Sequence, residues 1–543
     1  MSATAPERPR PAPVDSLFGV PRIADFRVPA RLDRLPRALT TGGVLVALLA
    51  VSAFLRTRTI GGELWFQEAG AIGLATQPLG SLLSAVGHAG ASPFYYLILH
   101  FWIDVFGTSE SATHVLSLIV GLATVPLGMW LGWLVGGRRA GVFTAVMFAF
   151  SSFLTRYAEE TQPYELMVAL GLLATAGLVL GFVHRRRAYL WLFGVTLALM
   201  LYTQGDAILY WFGAAVAIVI IARTAPTPEG GRRGIGLDAA LCFGAAAIVY
   251  LPWLPTTIGQ MAHSTAVWHY TPLLGATIPR QLLGSERVDV TLLVAFVIAL
   301  APLAARSLRR TREARIFWAL ISVVAGAIVA ARIAGFFLPI WAWRYFAPVV
   351  APLLLLSGLS LARARVVGFA AVLFCIAFLA NAGSFAPSYK SDMSDVAAQL
   401  GPLLHPGDVV VVAQPEQTPL ASYYLPAGLR WYSTIGAVSQ QSYMNWDGAL
   451  GRLGRSSPAA TLDPLVASLR PGQQLLFVRP LTEGARNWDE PWTELVRRRS
   501  AQWGQLLTAD TANGTLTQVA LAPANYRSAC CVADSAMLYR KGR

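Results

Sequence analysis

The sequence predicts an α-helical polytopic membrane protein that carries a C-terminal α/β domain outside the membrane. Three observations lead there. The 543 residues are 55% hydrophobic and only 13% charged, about half the charged fraction of a soluble domain. The apolar residues fall into blocks of roughly 20, the length needed to cross hydrocarbon. Beyond residue 386 the chain turns polar and gains turn signals such as HPGD at 405–408.

The first 37 residues are rich in Pro and Arg and hold no early apolar core, so they read as a basic cytoplasmic tail rather than a cleavable signal. About eleven spans come next, near 38–56, 112–134, 139–156, 162–183, 188–204, 206–223, 238–254, 288–306, 315–334, 344–362 and 367–384. Basic clusters fix their direction: Arg22 to Arg37, Arg138–Arg139, Arg185–Arg187, Arg232–Arg233, Arg306 to Arg315, and Arg363 with Arg365. All become cytoplasmic if the chain starts inside and alternates. The net charge of +14 is explained by these loops, so no nucleic-acid partner is expected. The implied place is the plasma (inner) membrane, with the N-terminus cytoplasmic and the C-terminal domain extracytoplasmic.

Residues 93–106, PFYYLILHFWIDVF, could tempt a twelfth span. Crossing there would put Arg138–Arg139 and Arg185–Arg187 outside, so this segment is expected flat on the outer face as an interfacial helix. Residues 57–111 then form a long first external loop, and 255–287 a second. The membrane domain is thus expected over 38–385 and the extracytoplasmic domain over 386–543. In the latter, 408–414 and 474–480 read as buried strands, and 391–404, 460–470 and 490–504 as helices. Cys242 and Cys375 lie in apolar blocks. Cys530 and Cys531 are adjacent, as two thiols or a strained vicinal disulfide, and no zinc spacing exists.

The external loops hold the chemistry-bearing residues. GGELWFQEAG at 61–70 puts Glu63 and Glu68 beside Trp65 and Phe66, directly after the first span. A carboxylate at such a boundary tends to a raised pKa and suits a general base; an amphipathic helix with its glutamates in water explains the pattern equally well. RYAEETQPYEL at 156–166 gathers Arg156, Glu159, Glu160 and Glu165 with Tyr157 and Tyr164 at a junction of two spans. Arg332 and Arg344, with Tyr345 beside the latter, sit near outer helix ends in an aromatic belt. There guanidinium groups either bind a lipid phosphate or snorkel to headgroups. Asp206, at an outer turn, either faces the same cavity or caps the next helix. His88, His100, His263 and His269 are scattered on the external side. No nucleotide loop, Ser-His-Asp set or HExxH occurs.

With these residues in view, the chain resembles the GT-C superfamily of membrane glycosyltransferases, nearest to bacterial members related to protein O-mannosyltransferases and lipid A aminoarabinose transferases. The resemblance rests on LWFQEA (64–69), SPFYYLILHFWIDVFG (92–107), GGRRAG (136–141), RYAEETQPY (156–164) and RYFAP (344–348), in that order over about 37–385. It implies transfer of a sugar from a polyprenyl phosphate carrier to an envelope glycan, lipid or protein. A first-loop carboxylate would take the acceptor proton. Basic groups, and in some members a divalent cation, would stabilise the departing lipid phosphate. Arabinose and mannose are the expected sugars.

The chain departs from the family at three places. Gln67 stands where the family carries Asp, Gln162 replaces an Arg, and Ser92-Pro93-Phe94 alters the Tyr-Tyr helix. Gln cannot be a base. Either Glu68 or Glu63 substitutes, Glu68 being the retained neighbour, or the chain is a decayed relative that binds polyprenyl lipid or glycan or scaffolds an envelope-synthesis complex. The resemblance places Arg344, Arg332 and Tyr345 on the donor phosphate. Glu160, Glu159, Tyr164 and Asp206 would line the acceptor cavity or assist a metal. A transporter is disfavoured, because the acids collect at one face rather than midplane.

Overall fold

The computed structural model describes residues 37–225, 231–267, 282–304, 311–337, 343–381, 390–482, 490–524 and 534–542. The tail 1–36, His269, Trp341 and Cys530–Cys531 lie outside them. Cα proximity divides the chain into Met1–Val46 and Ala47–Arg543. Of the first unit, only the start of helix α1 (Arg37–Arg56) is described. All later elements belong to the second.

Among the described residues, six helices are long and apolar enough to cross a membrane: Glu110–Ala149, Tyr164–Val183, Ala207–Thr224, Gly234–His263, Arg312–Ala334 and Trp343–Arg363. Shorter apolar helices are Thr41–Arg56, Pro93–Phe106, Ala188–Thr203 and Arg365–Phe378. The chain is a multi-pass membrane protein.

The first loop is not a loop throughout. It folds into α2 (Phe66–Ala75), α3 (Leu79–His88) and α4 (Pro93–Phe106). Pro93 at the first helical position starts α4 and Gly107 at φ 82° ends it, as expected of Pro and Gly at those places.

Helix α5 (Glu110–Ala149) is two helices that meet at a reversal at Gly137, whose φ is 81°. A Cβ at Gly128 would meet Phe148, one at Gly132 would meet Thr144, and one at Gly136 would meet Ala140. The two halves therefore lie antiparallel, joined at the GGRRAG turn. This is the pair of spans expected near 112–134 and 139–156. The second half stops at Ala149, and Ser151, accepting from the Leu154 amide, restarts the chain as α6 (Ser152–Tyr157).

Helix α7 (Tyr164–Gly177) continues as a π-turn through Val183. Then come α8 (Ala188–Thr203), α9 (Ala207–Thr224), α10 (Gly231–Tyr250) and α11 (Leu254–Val267). The expected second loop, 255–287, is thus helical up to Val267, because the apolar pattern continues past residue 254. Gln260 on α11 donates to the Gly87 and Ala91 carbonyls (3.1 and 2.9 Å), tying α11 to the first loop. Helices α12 (Glu286–Leu300), α13 (Arg312–Ala334), α14 (Ala347–Arg363) and α15 (Arg365–Asn381) complete the bundle.

The C-terminal domain opens with α16 (Met393–Leu400), followed by α17 (Thr418–Tyr424) and α18 (Ala449–Arg455), and among the described residues it is built on a six-stranded sheet. Its strands are β1 (Val409–Val412), β2 (Arg430–Ser433), β3 (Gly436–Ala437), β4 (Gln474–Pro480), β5 (Leu516–Ala522) and β6 (Asp534–Lys541), in the order β3-β2-β1-β4-β6-β5. β1 is parallel to β2 and β4, while β6 is antiparallel to β4 and β5. Strand alternation sends residues to opposite faces. Val409, Val411, Leu475 and Phe477 pack on Leu462, Leu465 and Val466 of α19 (Pro458–Ser468) and on Trp503 and Leu507 of α20 (Pro491–Ala512). Val410, Val412, Leu476 and Val478 share a core with Leu64, Ile72, Leu82, Tyr95 and Leu99 of the first loop.

That shared core joins residues 64–99 to the C-terminal domain. The approach is tight at Gly73, where a Cβ would stand 1.7 Å from the Ser442 carbonyl oxygen. Gly73→Ala should therefore push α2 away from the domain, at a cost of roughly 1–3 kcal/mol. Hydrogen exchange should report it as lost protection around 420–442. Unchanged protection would mean the contact is not held.

Candidate functional site

The site forms where α2, the start of α5, the 158–163 turn and the first residues of the C-terminal domain meet. Glu68 is its centre. As the third residue of α2 it reaches back to the Trp65 amide (3.2 Å), the carboxylate half of a capping box. The same side chain accepts from the Thr161 amide (2.9 Å) and contacts His114 Nε2 (2.8 Å). It also accepts from the Lys390 ammonium at both oxygens (3.1 and 2.9 Å). Glu68 and His114 are fully buried, and the Lys390 side chain is 7% exposed.

Both ring nitrogens of His114 face acceptors, since Nδ1 lies 2.7 Å from the Ile60 carbonyl. His114 thus sits between two acceptor oxygens, the Glu68 carboxylate and the Ile60 carbonyl. Burial alone would push Glu68 up, but the Lys390 and His114 charges and their hydrogen bonds override it and hold the carboxyl near 2. The alternative with glutamates facing water does not hold for Glu68.

Glu160 has the opposite character. It is buried in the 158–163 turn, with Oε1 3.7 Å from Arg156 Nε and Oε2 without a hydrogen-bond partner. Burial, reinforced by the Glu68 charge, pushes it up to about 7, against the pull of Lys390, Arg156 and Arg344. Arg156 lies 4.6 Å over the Trp343 ring, which packs on Tyr157, and Tyr157 packs on Tyr164. Arg344, beside the Tyr345 ring at 5.5 Å, acts electrostatically on Glu160, Tyr164 and Asp206. Asp206 stands at the N-cap of α9 but makes no cap bond. Burial pushes its carboxyl up to about 7.

The structure thus gathers Glu68, Glu160, Tyr164, Asp206, Arg344 and Tyr345, and separates other candidates. Glu159 is pinned to Thr59, accepting from its amide (2.7 Å) and its hydroxyl. Glu63 accepts from Ser394 (2.5 Å) and faces Asp392 and Asp395, with its carboxyl raised by burial. Arg332 is exposed and lies over the Phe336 ring at 4.5 Å. Gln67 is partly exposed beside the network, and Gln162 is buried under it. Gln162 and Glu165, with Tyr95 and Ser117, line a cavity of about 20 Å³, far too small for a sugar.

His114 and Lys390 are the residues that sequence reasoning missed. They stand 46 and 322 positions from Glu68, beyond any local pattern. One signal did exist: only two of the 43 Lys and Arg residues are lysines, Lys390 and Lys541.

A divalent cation does not fit these residues. Glu68 has its two oxygens taken by Lys390, His114 and two amides. Among the described residues, no group of three or more His, Cys, Asp or Glu could hold a metal ion.

No protein-family model matches the sequence, and no curated protein matches it. Solved structures do. The crystal structure of ArnT from Cupriavidus metallidurans in the apo state is 13% identical, covers 93% of this chain and 98% of that one, and gives a TM-score of 0.54. The same protein bound to undecaprenyl phosphate is 13% identical, covers 92% and 97%, and scores 0.52. The archaeal oligosaccharyltransferase AglB from Archaeoglobus fulgidus, in complex with an inhibitory peptide and a dolichol-phosphate, is 12% identical, covers 81% and 69%, and scores 0.53. At these identities the likeness is one of fold. The chain has the fold of the GT-C membrane glycosyltransferases.

Proposed function

We propose that this chain transfers a sugar from a polyprenyl phosphate carrier to a cell-envelope glycan, lipid or protein on the outer face of the plasma membrane. The membrane domain, 38–385, takes the lipid donor. The C-terminal domain, 386–543, stands outside and helps build the site. The observation that carries the reading is Glu160: a buried carboxyl near pKa 7, with one unpartnered oxygen, flanked by Arg156 and Arg344. Two neighbours of this fold were solved with undecaprenyl phosphate and with dolichol-phosphate, which supports a lipid-phosphate donor here.

The roles follow from the electrostatics. A general base serves best with a pKa near the working pH. Glu68, held near 2 by Lys390, His114 and their hydrogen bonds, binds a proton too weakly, so the base passes to Glu160. Glu68 becomes the anion that positions Lys390, His114 and the 158–163 turn. Arg344 and Arg156 hold the donor phosphate, with Arg344 offering the planar fork that suits phosphate. Arabinose and mannose remain the proposed sugars.

Arg344→Ala should raise the donor KM by roughly 10-fold or more, the weight of a charged hydrogen bond, and change kcat less. Arg344→Lys should recover only part, because a point charge replaces a bidentate fork. Titration of a purified variant with carrier-linked sugar decides it: an unchanged donor KM in Arg344→Ala removes Arg344 from the phosphate site.

A further inference from the structure

We propose that Lys390 is a built-in cation standing where a divalent metal would bridge the acidic groups, so that transfer by this chain needs no metal and needs its C-terminal domain to complete the centre. The proposal deepens the transferase reading above and rests on it.

Four observations carry it. The Lys390 ammonium contacts both oxygens of Glu68 and also donates to the Glu159 carbonyl. That is an oxygen cage drawn from two separate loops, as a cation requires. The side chain is 7% exposed, so the charge is committed to the cleft rather than to solvent. Lysine stands here although arginine fills nearly every other basic position. An ammonium is a compact point charge, whereas a guanidinium is a planar fork, and only the former resembles a metal ion in shape. Finally, Lys390 belongs to the segment that opens the C-terminal domain. Its neighbours Ser391 and Ser394 donate to the Leu64 carbonyl and to Glu63 (2.9 and 2.5 Å). The cation arrives only when that domain docks on the first loop.

Lys390 is thus a positioning residue, acting through Glu68 and Glu160. Around Glu160 the facing charged and titratable groups are Lys390, Glu68, Arg156, Arg344, Tyr157 and Tyr164. Of these, Lys390 comes first among those that draw its pKa down.

The test uses the purified full-length chain and Mn²⁺ alone as probe, read by electron paramagnetic resonance. Wild type should show no Glu68-dependent Mn²⁺ site. Lys390→Met, which keeps the stem, should gain one, and Lys390→Met/Glu68→Gln should lose it again. With carrier-linked sugar, wild-type turnover should be unchanged by EDTA. Lys390→Met should lose roughly 10²-fold or more, as for loss of a preorganised charge, and Lys390→Arg should recover part. The acid limb of the pH–rate profile should move upward in Lys390→Met. A Glu68-dependent Mn²⁺ site in wild type, or EDTA inhibition, overturns the proposal. So does Lys390→Met that folds but gains no Mn²⁺ site, or an unmoved acid limb. If no carrier-linked sugar is transferred at all, the transferase reading falls, while the Mn²⁺ measurements still judge Lys390.

Discussion

Replacing Glu160 by Gln should lower turnover by roughly 10²–10⁴-fold, the usual weight of general-base help, and should leave the fold standing. The substitution is nearly isosteric, and Glu160 already favours its neutral form because burial raises its pKa to about 7. A neutral amide therefore costs the fold little. The pH dependence has a definite sign. A base must be unprotonated to act, so the wild-type rate should climb as pH rises through about 7 and level off above it. Residual activity in Glu160→Gln should lack that limb. Steady-state rates from mildly acidic to mildly alkaline pH check both statements. Full activity in Glu160→Gln, or a wild-type limb in the ordinary carboxylate range, would remove Glu160 from the role.

Glu68→Ala should act on stability instead, and strongly. It would strand the Lys390 ammonium, beside the buried His114 ring, in a site with almost no solvent contact. Breaking one side of a buried ion pair costs about 3–5 kcal/mol. Glu68→Gln, which keeps the acceptor oxygen, should cost less. The linkage sign follows from the depressed carboxyl. Its folded pKa, about 2, lies below its ordinary value of 4.5, so its stabilisation is complete above that ordinary value. It is lost as pH falls towards 2. Thermal unfolding in detergent, at neutral pH and again about one unit below the ordinary carboxylate pKa, should show the wild type losing stability at the lower pH and Glu68→Ala losing less. Equal melting of wild type and Glu68→Ala at neutral pH would contradict a buried ion pair between Lys390 and Glu68.

Local and periodic features were legible in the sequence. The strand at 474–480 and the helices near 460–470 and 490–504 appear as β4, α19 and the first part of α20. The turn at 136–141 reverses the chain at Gly137. The order of motifs pointed to the GT-C fold across 12–13% identity. Charge asymmetry leads one to expect the first loop beside the C-terminal domain, and the two share a hydrophobic core.

Features that depend on long-range contact were not legible. Glu68 reads as a base from its aromatic setting and as the retained carboxylate next to Gln67. Its actual partners come from α5 and from the C-terminal domain, and they reverse the direction of its pKa. Glu159 and Glu160 are adjacent and look alike in sequence, yet one is fixed to Thr59 and the other keeps an oxygen unpartnered. Side-chain direction within the 158–163 turn sets that difference, and no periodicity records it. Arg332 and Arg344 likewise shared an aromatic setting, but only Arg344 acts on the Glu160, Tyr164 and Asp206 group.

The most direct measurement is donor consumption by the purified chain in proteoliposomes, with polyprenyl phosphate carrying labelled pentose, hexose or aminosugar and an envelope extract as acceptor. Wild type should release the free polyprenyl phosphate from one of these donors and pass the label to acceptor, and Glu160→Gln should do neither. Release that is absent with every donor, or equal in the two proteins, would contradict a transferase built around Glu160.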